Sequence, residues 1–212
     1  MPINQFAVRA AGTVAALALS LTLAACGGNT PSTPNSPAGA ASTAAQPSQQ
    51  FNDNDVHFTQ MMIPHHRQAI AMAEMATGRA QNPDVKALAQ QIKNEQDPEI
   101  QTMTGFLKAW GAQVPQDDAM SGMDHSSMSN GDMTDMSGMM SPEEMTQLSS
   151  ASGTNFDRMF LQMMIAHHQG AVTDAQQELS EGMNEQAKTL ASSIVTTQTA
   201  EINRMQQLLP TL

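Results

Sequence analysis

Cysteine occurs once in the 212 residues, at Cys26; tyrosine is absent and tryptophan occurs once. A single thiol excludes an internal disulfide and any metal site built from several cysteines. Aromatic residues make up 3 % of the chain and β-branched runs are few, so the side chains that strands favour are missing. Positive charge is scarce too: 9 Lys and Arg stand against 20 Asp and Glu, a formal net charge of −11. That balance argues against nucleic acid or an anionic lipid surface as a partner.

What is present begins with an export-type segment. Arg9 is the only charge in residues 1–26, and the apolar, small-residue run Ala10 to Ala25 is short for a membrane span. It closes on Leu23-Ala24-Ala25-Cys26, which resembles the lipobox of bacterial lipoproteins. The resemblance implies that residues 1–25 are a cleaved signal and that Cys26 carries lipid. It also implies an exported protein, periplasmic or at the cell surface, anchored to a membrane; Gly27 in place of Asp would suggest outer-membrane sorting in a Gram-negative envelope. Residues 26–50 are mostly Gly, Asn, Thr, Pro, Ser, Ala and Gln, and read as a flexible stalk with no apolar face to bury.

The mature part repeats itself. Residues 60–66 read QMMIPHH and residues 162–168 read QMMIAHH. The same offset of 102 aligns 55–107 with 157–209 without a gap, and roughly 20 of those 53 positions are identical. Among them are Asp55/Asp157, Met62/Met164, His65/His167, His66/His168, Gln96/Gln198, Glu99/Glu201 and Met103/Met205. Duplication of one structural unit follows.

That unit is helical. Phe58, Met62, the His pair, Ala69 and Ala73 recur at three- and four-residue spacing, and Val85, Leu88, Ile92, Ile100, Met103 and Leu107 form a second stripe. Asn82-Pro83 supplies an N-cap and a Pro at the first helical position, and Gly111 a stop. Four helices of about 24–28 residues, each roughly 40 Å long, are predicted. The expectation is an all-α four-helix bundle of two tandem helical hairpins, 51–111 and 154–212. Between them, 112–153 is read as a Met-rich loop followed by a short helix, started by the capping box Ser141-Pro142-Glu143-Glu144. Pro64 and Pro98, matched by Ala166 and Ala200, are expected to kink the first hairpin.

Met and His dominate the repeated positions, and both bind soft or borderline metals. Adjacent helical residues point about 100° apart, so His65 and His66 cannot share one target, nor can His167 and His168. Each His has a Met one turn earlier: Met61 with His65, Met62 with His66, Met163 with His167 and Met164 with His168. Glu99/Met103 and Glu201/Met205 are i, i+4 pairs on the partner helices, expected to face the Met/His turns. Core packing for the methionines and His–Glu hydrogen bonding for the histidines remain the plain alternative. A Glu-x-x-His motif of the di-iron kind is absent, zinc would not account for thioethers, and haem lacks its Cys-x-x-Cys-His attachment. Thioether plus imidazole suits copper, especially Cu(I), with Ag(I) as a surrogate. The stretch 120–140 adds Met120, Met123, Met128, Met133, Met136, Met139 and Met140 with His125, without a periodicity that would bury them.

These motifs resemble the domain-of-unknown-function family numbered 305. Its Met-x-x-His-His motif matches Met62–His66 and Met164–His168, and its Gln-x-x-Glu-Ile-x-x-Met helix matches Gln96–Met103 and Gln198–Met205. The resemblance spans 53–110 and 154–210. It implies a ferritin-like four-helix bundle and, from exported members, copper binding and tolerance. Gly122–Met128 is also similar to Met-rich loops of bacterial copper-resistance proteins. Two departures, Gly170 for Gln68 and Gln176 for Glu74, are expected to leave the ligands untouched. The leading expectation is a non-enzymatic copper-binding lipoprotein that sequesters Cu(I) or passes it to an efflux or oxidase protein. A metal-dependent oxidoreductase and a metal-free structural or adaptor bundle are the alternatives.

Overall fold

The computed structural model describes residues 47–116 and 137–212. The signal segment, Cys26, the stalk up to residue 46, and Met120, Met123, His125, Met128, Met133 and Met136 lie outside the described residues. Within them the protein is all-helical, with no strand. Five α-helices follow one another: α1 Asp53–Arg79, α2 Pro83–Trp110, α3 Pro142–Ser150, α4 Gly153–Glu181 and α5 Glu185–Leu208, which ends in a short 3-10 turn, Leu209–Thr211. No described helix is long and apolar enough to cross a membrane.

Local chemistry sets most of the boundaries. Asn52 and Asp55 cap α1 reciprocally, and Ser141 and Glu144 do the same for α3. Asn82 accepts the Asp84 N–H with Pro83 at the first turn, and α2 stops at Gly111, whose φ of +68° is left-handed. Asn184 caps α5 by accepting from Gln186 and Ala187. Helices α1 and α2 run through Pro64 and Pro98 without ending.

The long helices pack as a bundle: α1 chiefly against α2, α4 against α5, and α1 against α4. Two aspartates at equivalent positions of the repeat bind across it. Asp55 accepts the Met183 and Asn184 N–H groups in the turn before α5. Asp157 accepts those of Gln81 and Asn82 in the turn before α2. Each carboxylate therefore fixes the opposite hairpin turn, which fits the identity of these positions. Burial works to raise the Asp55 carboxyl, but the backbone donors Asn52, Asn184 and Met183 hold it below the usual value.

The core has two apolar clusters. One holds Met72, Leu88, Ile92, Phe156, Phe160, Met164 and Met205; the other holds Phe58, Met62, Ile63, Met103, Leu107 and Ile194. Full burial of such side chains stabilises by about 1.5–3 kcal/mol each before entropy is charged against it.

Two expectations fail here. The end of the stalk is ordered: Ser48 accepts from the Trp110 indole, Asn184 donates to the Ser48 and Gln50 carbonyls, and Ser48 N–H donates to Gln186. Polar composition predicted flexibility, yet backbone groups at 48–50 find polar side chains on α2, on α5 and in the turn before it. Likewise Met139 and Met140 are not free in a loop; both are half-buried against the core.

Candidate metal centre

His65 and His66 stand near the middle of α1, His167 and His168 near the middle of α4, and all four are 0 % exposed. The 100° between neighbours sends them to different partners. The outer pair turns to the neighbouring helix of its own repeat. His66 Nε2 lies 2.8 Å from Glu99 Oε2 on α2, and His168 Nε2 lies 2.8 Å from Glu201 Oε2 on α5. The inner pair meets across the repeats: the His65 and His167 rings lie 3.7 Å apart, centroid to centroid, inclined by 36°.

Most of the imidazole nitrogens have no hydrogen-bond partner among the described residues. Both nitrogens of His65 and of His167, and Nδ1 of His66 and His168, are buried without a hydrogen bond. The backbone of Ser137 approaches His65 without completing one. Orphaned buried polar atoms cost about 1–3 kcal/mol apiece and call for an explanation such as an ion or water. Burial first, and neighbouring imidazoles second, hold His65 and His167 well below 6.5. Burial, reinforced by His66 and opposed by Glu95 and Glu99, pushes His168 down to about 3. These three rings are neutral at physiological pH, the form that binds metal. Burial raises Glu201 to about 7, and it raises Glu95, which the Glu201 charge pushes further in the same direction.

The thioethers divide. Met62, Met103, Met164 and Met205 are fully buried, Met62 with Met103 in one cluster and Met164 with Met205 in the other. Met61 and Met163 are half-buried. Met61 lines a surface cavity of about 330 Å³ with His57, Asp174 and Glu178. Among the described residues, no three His, Cys, Asp or Glu side chains gather tightly enough to cage an ion alone. Imidazole and thioether, the donor types repeated here, are ligands for soft or borderline ions rather than for ions that need an oxygen cage.

Sequence reasoning left three polar residues out of the site, two of them buried and one, Glu95, half-buried. Gln96 and Gln198 stand three residues before Glu99 and Glu201, with both amide atoms of each unpartnered. Their identity between repeats was the available signal. Glu95 has no counterpart at Thr197, so nothing in the repeat marked it. The expectation that the Gln68/Gly170 departure leaves the ligands untouched is also corrected: Gln68 bonds the backbone of Met140, and Gly170 abuts Ser137.

Fold and site together define an all-helical bundle, internally repeated, with a duplicated His–Glu contact and buried methionines. The family model for the domain of unknown function DUF305 matches residues 55–209, and the chain belongs to that family. Solved structures agree. A DUF305 fragment from Deinococcus radiodurans is 32 % identical with a TM-score of 0.65, covering 76 % of this chain and 98 % of that one. CopM in its Cu(I)-bound form is 34 % identical with a TM-score of 0.57, covering 74 % and 96 %. CopM in its Cu(II)-bound form is 35 % identical with a TM-score of 0.59 at the same coverage. A search of curated proteins finds no match.

Proposed function

We propose that this protein binds copper, as Cu(I), within a ferritin-like bundle of two hairpins, and that it sequesters or transfers the ion rather than catalysing a reaction. The observation that carries the reading is the set of four buried histidines with six ring nitrogens unpartnered among the described residues, with a methionine one helical turn before each. Neutral imidazole and thioether are the donors Cu(I) prefers. The similarity to CopM, which is solved with copper and with silver, supports the same metal class.

In this reading the Met-rich stretch 120–140 captures the ion and the Met/His/Glu level of the bundle holds it. The signal-like N-terminus and Cys26 support export and a lipid anchor, so a copper efflux or oxidase protein of the envelope is the natural recipient. The test replaces His65, His66, His167 and His168 with Ala and titrates Cu(I) against a competing chelator. Lower copper stoichiometry with the helical circular dichroism retained is expected. Unchanged stoichiometry would leave the bundle a structural element.

A further inference from the structure

The repeats differ two residues after the second histidine, where Gln68 of α1 is matched by Gly170 of α4. Both are buried, and both meet the same short strap, Ser137 to Met140. Gln68 holds it by both backbone groups of one residue: Nε2 donates to the Met140 carbonyl at 2.8 Å, and the Met140 N–H donates to Oε1 at 2.7 Å. Gly170 holds it by absence. A Cβ at 170 would lie 1.6 Å from the Ser137 carbonyl oxygen and 2.4 Å from its carbon. Gly138 completes the fit with a left-handed φ of +85°; a Cβ there would come within 2.5 Å of the Ala166 carbonyl and 3.1 Å of the His167 Cα.

An interior glycine destabilises a helix relative to alanine, so Gly170 has a cost that its own helix does not recover. The strap uses the space. It also distributes two thioethers between the two apolar clusters, each of which draws on both repeats. Met139 packs on the cluster that holds Met62 and Met103, and Met140 on the cluster that holds Met164 and Met205.

We propose that Gln68 and Gly170 are positioning residues that seat Met139 and Met140 on the bundle as copper ligands, one at each apolar cluster. The strap then completes the bundle site and joins it to the Met-rich stretch that precedes it. This rests on the copper reading above.

The test compares the full chain with Gly170→Ala and Gln68→Ala, measuring amide hydrogen exchange at Met140 in the apo protein and Cu(I) affinity by chelator competition. Gly105→Ala is the control, because a Cβ there meets nothing within 4 Å. Alanine favours helix, so Gly170→Ala keeps α4 and displaces only the strap. Faster exchange at Met140 and about tenfold weaker Cu(I) binding are expected for both variants, and neither change for the control. Replacing Met139 and Met140 with Leu together should weaken Cu(I) binding similarly while the backbone amide at position 140 stays protected from exchange, which separates ligation from packing.

Faster exchange with wild-type affinity would make the strap a packing element and overturn the proposal. Unchanged exchange would overturn the seating itself. Wild-type protein that fails to compete for Cu(I) would sink the copper reading and this proposal with it. Wild-type binding left intact by Gly170→Ala and by the Leu pair would overturn this proposal alone.

Discussion

Burial of the histidines sets how copper binding should respond to acid. A proton and a metal compete for the same imidazole lone pair. An imidazole at its ordinary 6.5 is about 76 % neutral at pH 7 and about 3 % at pH 5, so each such ligand weakens binding about 25-fold over that interval. Burial holds His65 and His167 well below 6.5 and pushes His168 down to about 3. By the same relation His168 remains about 99 % neutral at pH 5. Thioethers have no proton to gain in this range. In a variant that lacks 120–136, keeps the strap and carries Glu201→Gln, which removes the carboxylate raised to about 7, protonation of His65, His167 and His168 should therefore change Cu(I) affinity by less than about twofold between pH 7 and pH 5. A peptide copying 120–128, with His125 as its imidazole, should weaken about 25-fold. Both are read by competition against one chelator, corrected for its own protonation. A parallel loss in bundle and peptide would mean that the bundle histidines titrate like solvated groups, and the buried-neutral argument would fail.

Glu178 offers a second pH effect, away from the histidines. Its carboxyl is pushed up to about 8 by burial and then by the Asp55 beside it. Between 4.5 and about 8 the folded state keeps a proton that the unfolded chain has lost, so stability falls as pH rises through that window. The full shift corresponds to about 5 kcal/mol, and local water and relaxation reduce it to an expected 1–3 kcal/mol or so. Glu178→Gln should melt higher than wild type at pH 9, by about 2–4 °C per kcal/mol, and match it near pH 5; a gap that does not widen with pH would contradict this. Asp157→Ala should cost about 2–3 kcal/mol in chemical denaturation, because the Gln81 and Asn82 N–H groups lose a charged acceptor. A loss under about 0.5 kcal/mol would show that water replaces the carboxylate there.

Short-range chemistry was legible in the sequence. Asn82-Pro83, Ser141-Pro142-Glu144 and the three- and four-residue stripes start and stop helices within a few positions of themselves, so α2 and α3 begin where their caps stand. The splitting of neighbouring histidines follows from helix geometry alone. The pairing of His65 with His167 does not, because it depends on how one repeat seats on the other. That seating involves Asp55 and Asp157, whose partners lie 128–129 and 75–76 positions away. Distance along the chain hid the ordered residues 48–50 as well, since Asn184 and Gln186 supply their hydrogen bonds. Gly170 read as a minor departure because its role is a vacancy filled by Ser137, and a missing side chain leaves no positive signal in a sequence.

The Glu99 and Glu201 contacts decide which atoms face an ion. A neutral imidazole carries one N–H and one lone pair, and the partner of one nitrogen fixes the role of the other. His66 and His168 both engage glutamate through Nε2, at 2.8 Å. With Nε2–H donating to a carboxylate, the lone pair falls on Nδ1, which is the nitrogen left buried and unpartnered in both rings. The same carboxylates answer the question of charge. Cu(I) brought among neutral imidazoles and thioethers adds one positive charge to a buried site, and an ionised glutamate on the far side of the ring offsets it. Glu201, raised by burial to about 7, is driven toward its charged form by that ion, so carboxylate and metal stabilise one another across the imidazole. Empty, the site keeps His65, His167 and His168 neutral and holds Glu201 near the edge of ionisation; on the copper reading, a bound ion would make it a balanced pair of charges. A bundle that used its His–Glu contacts for packing alone would have no reason to leave the opposite nitrogens without partners in both copies.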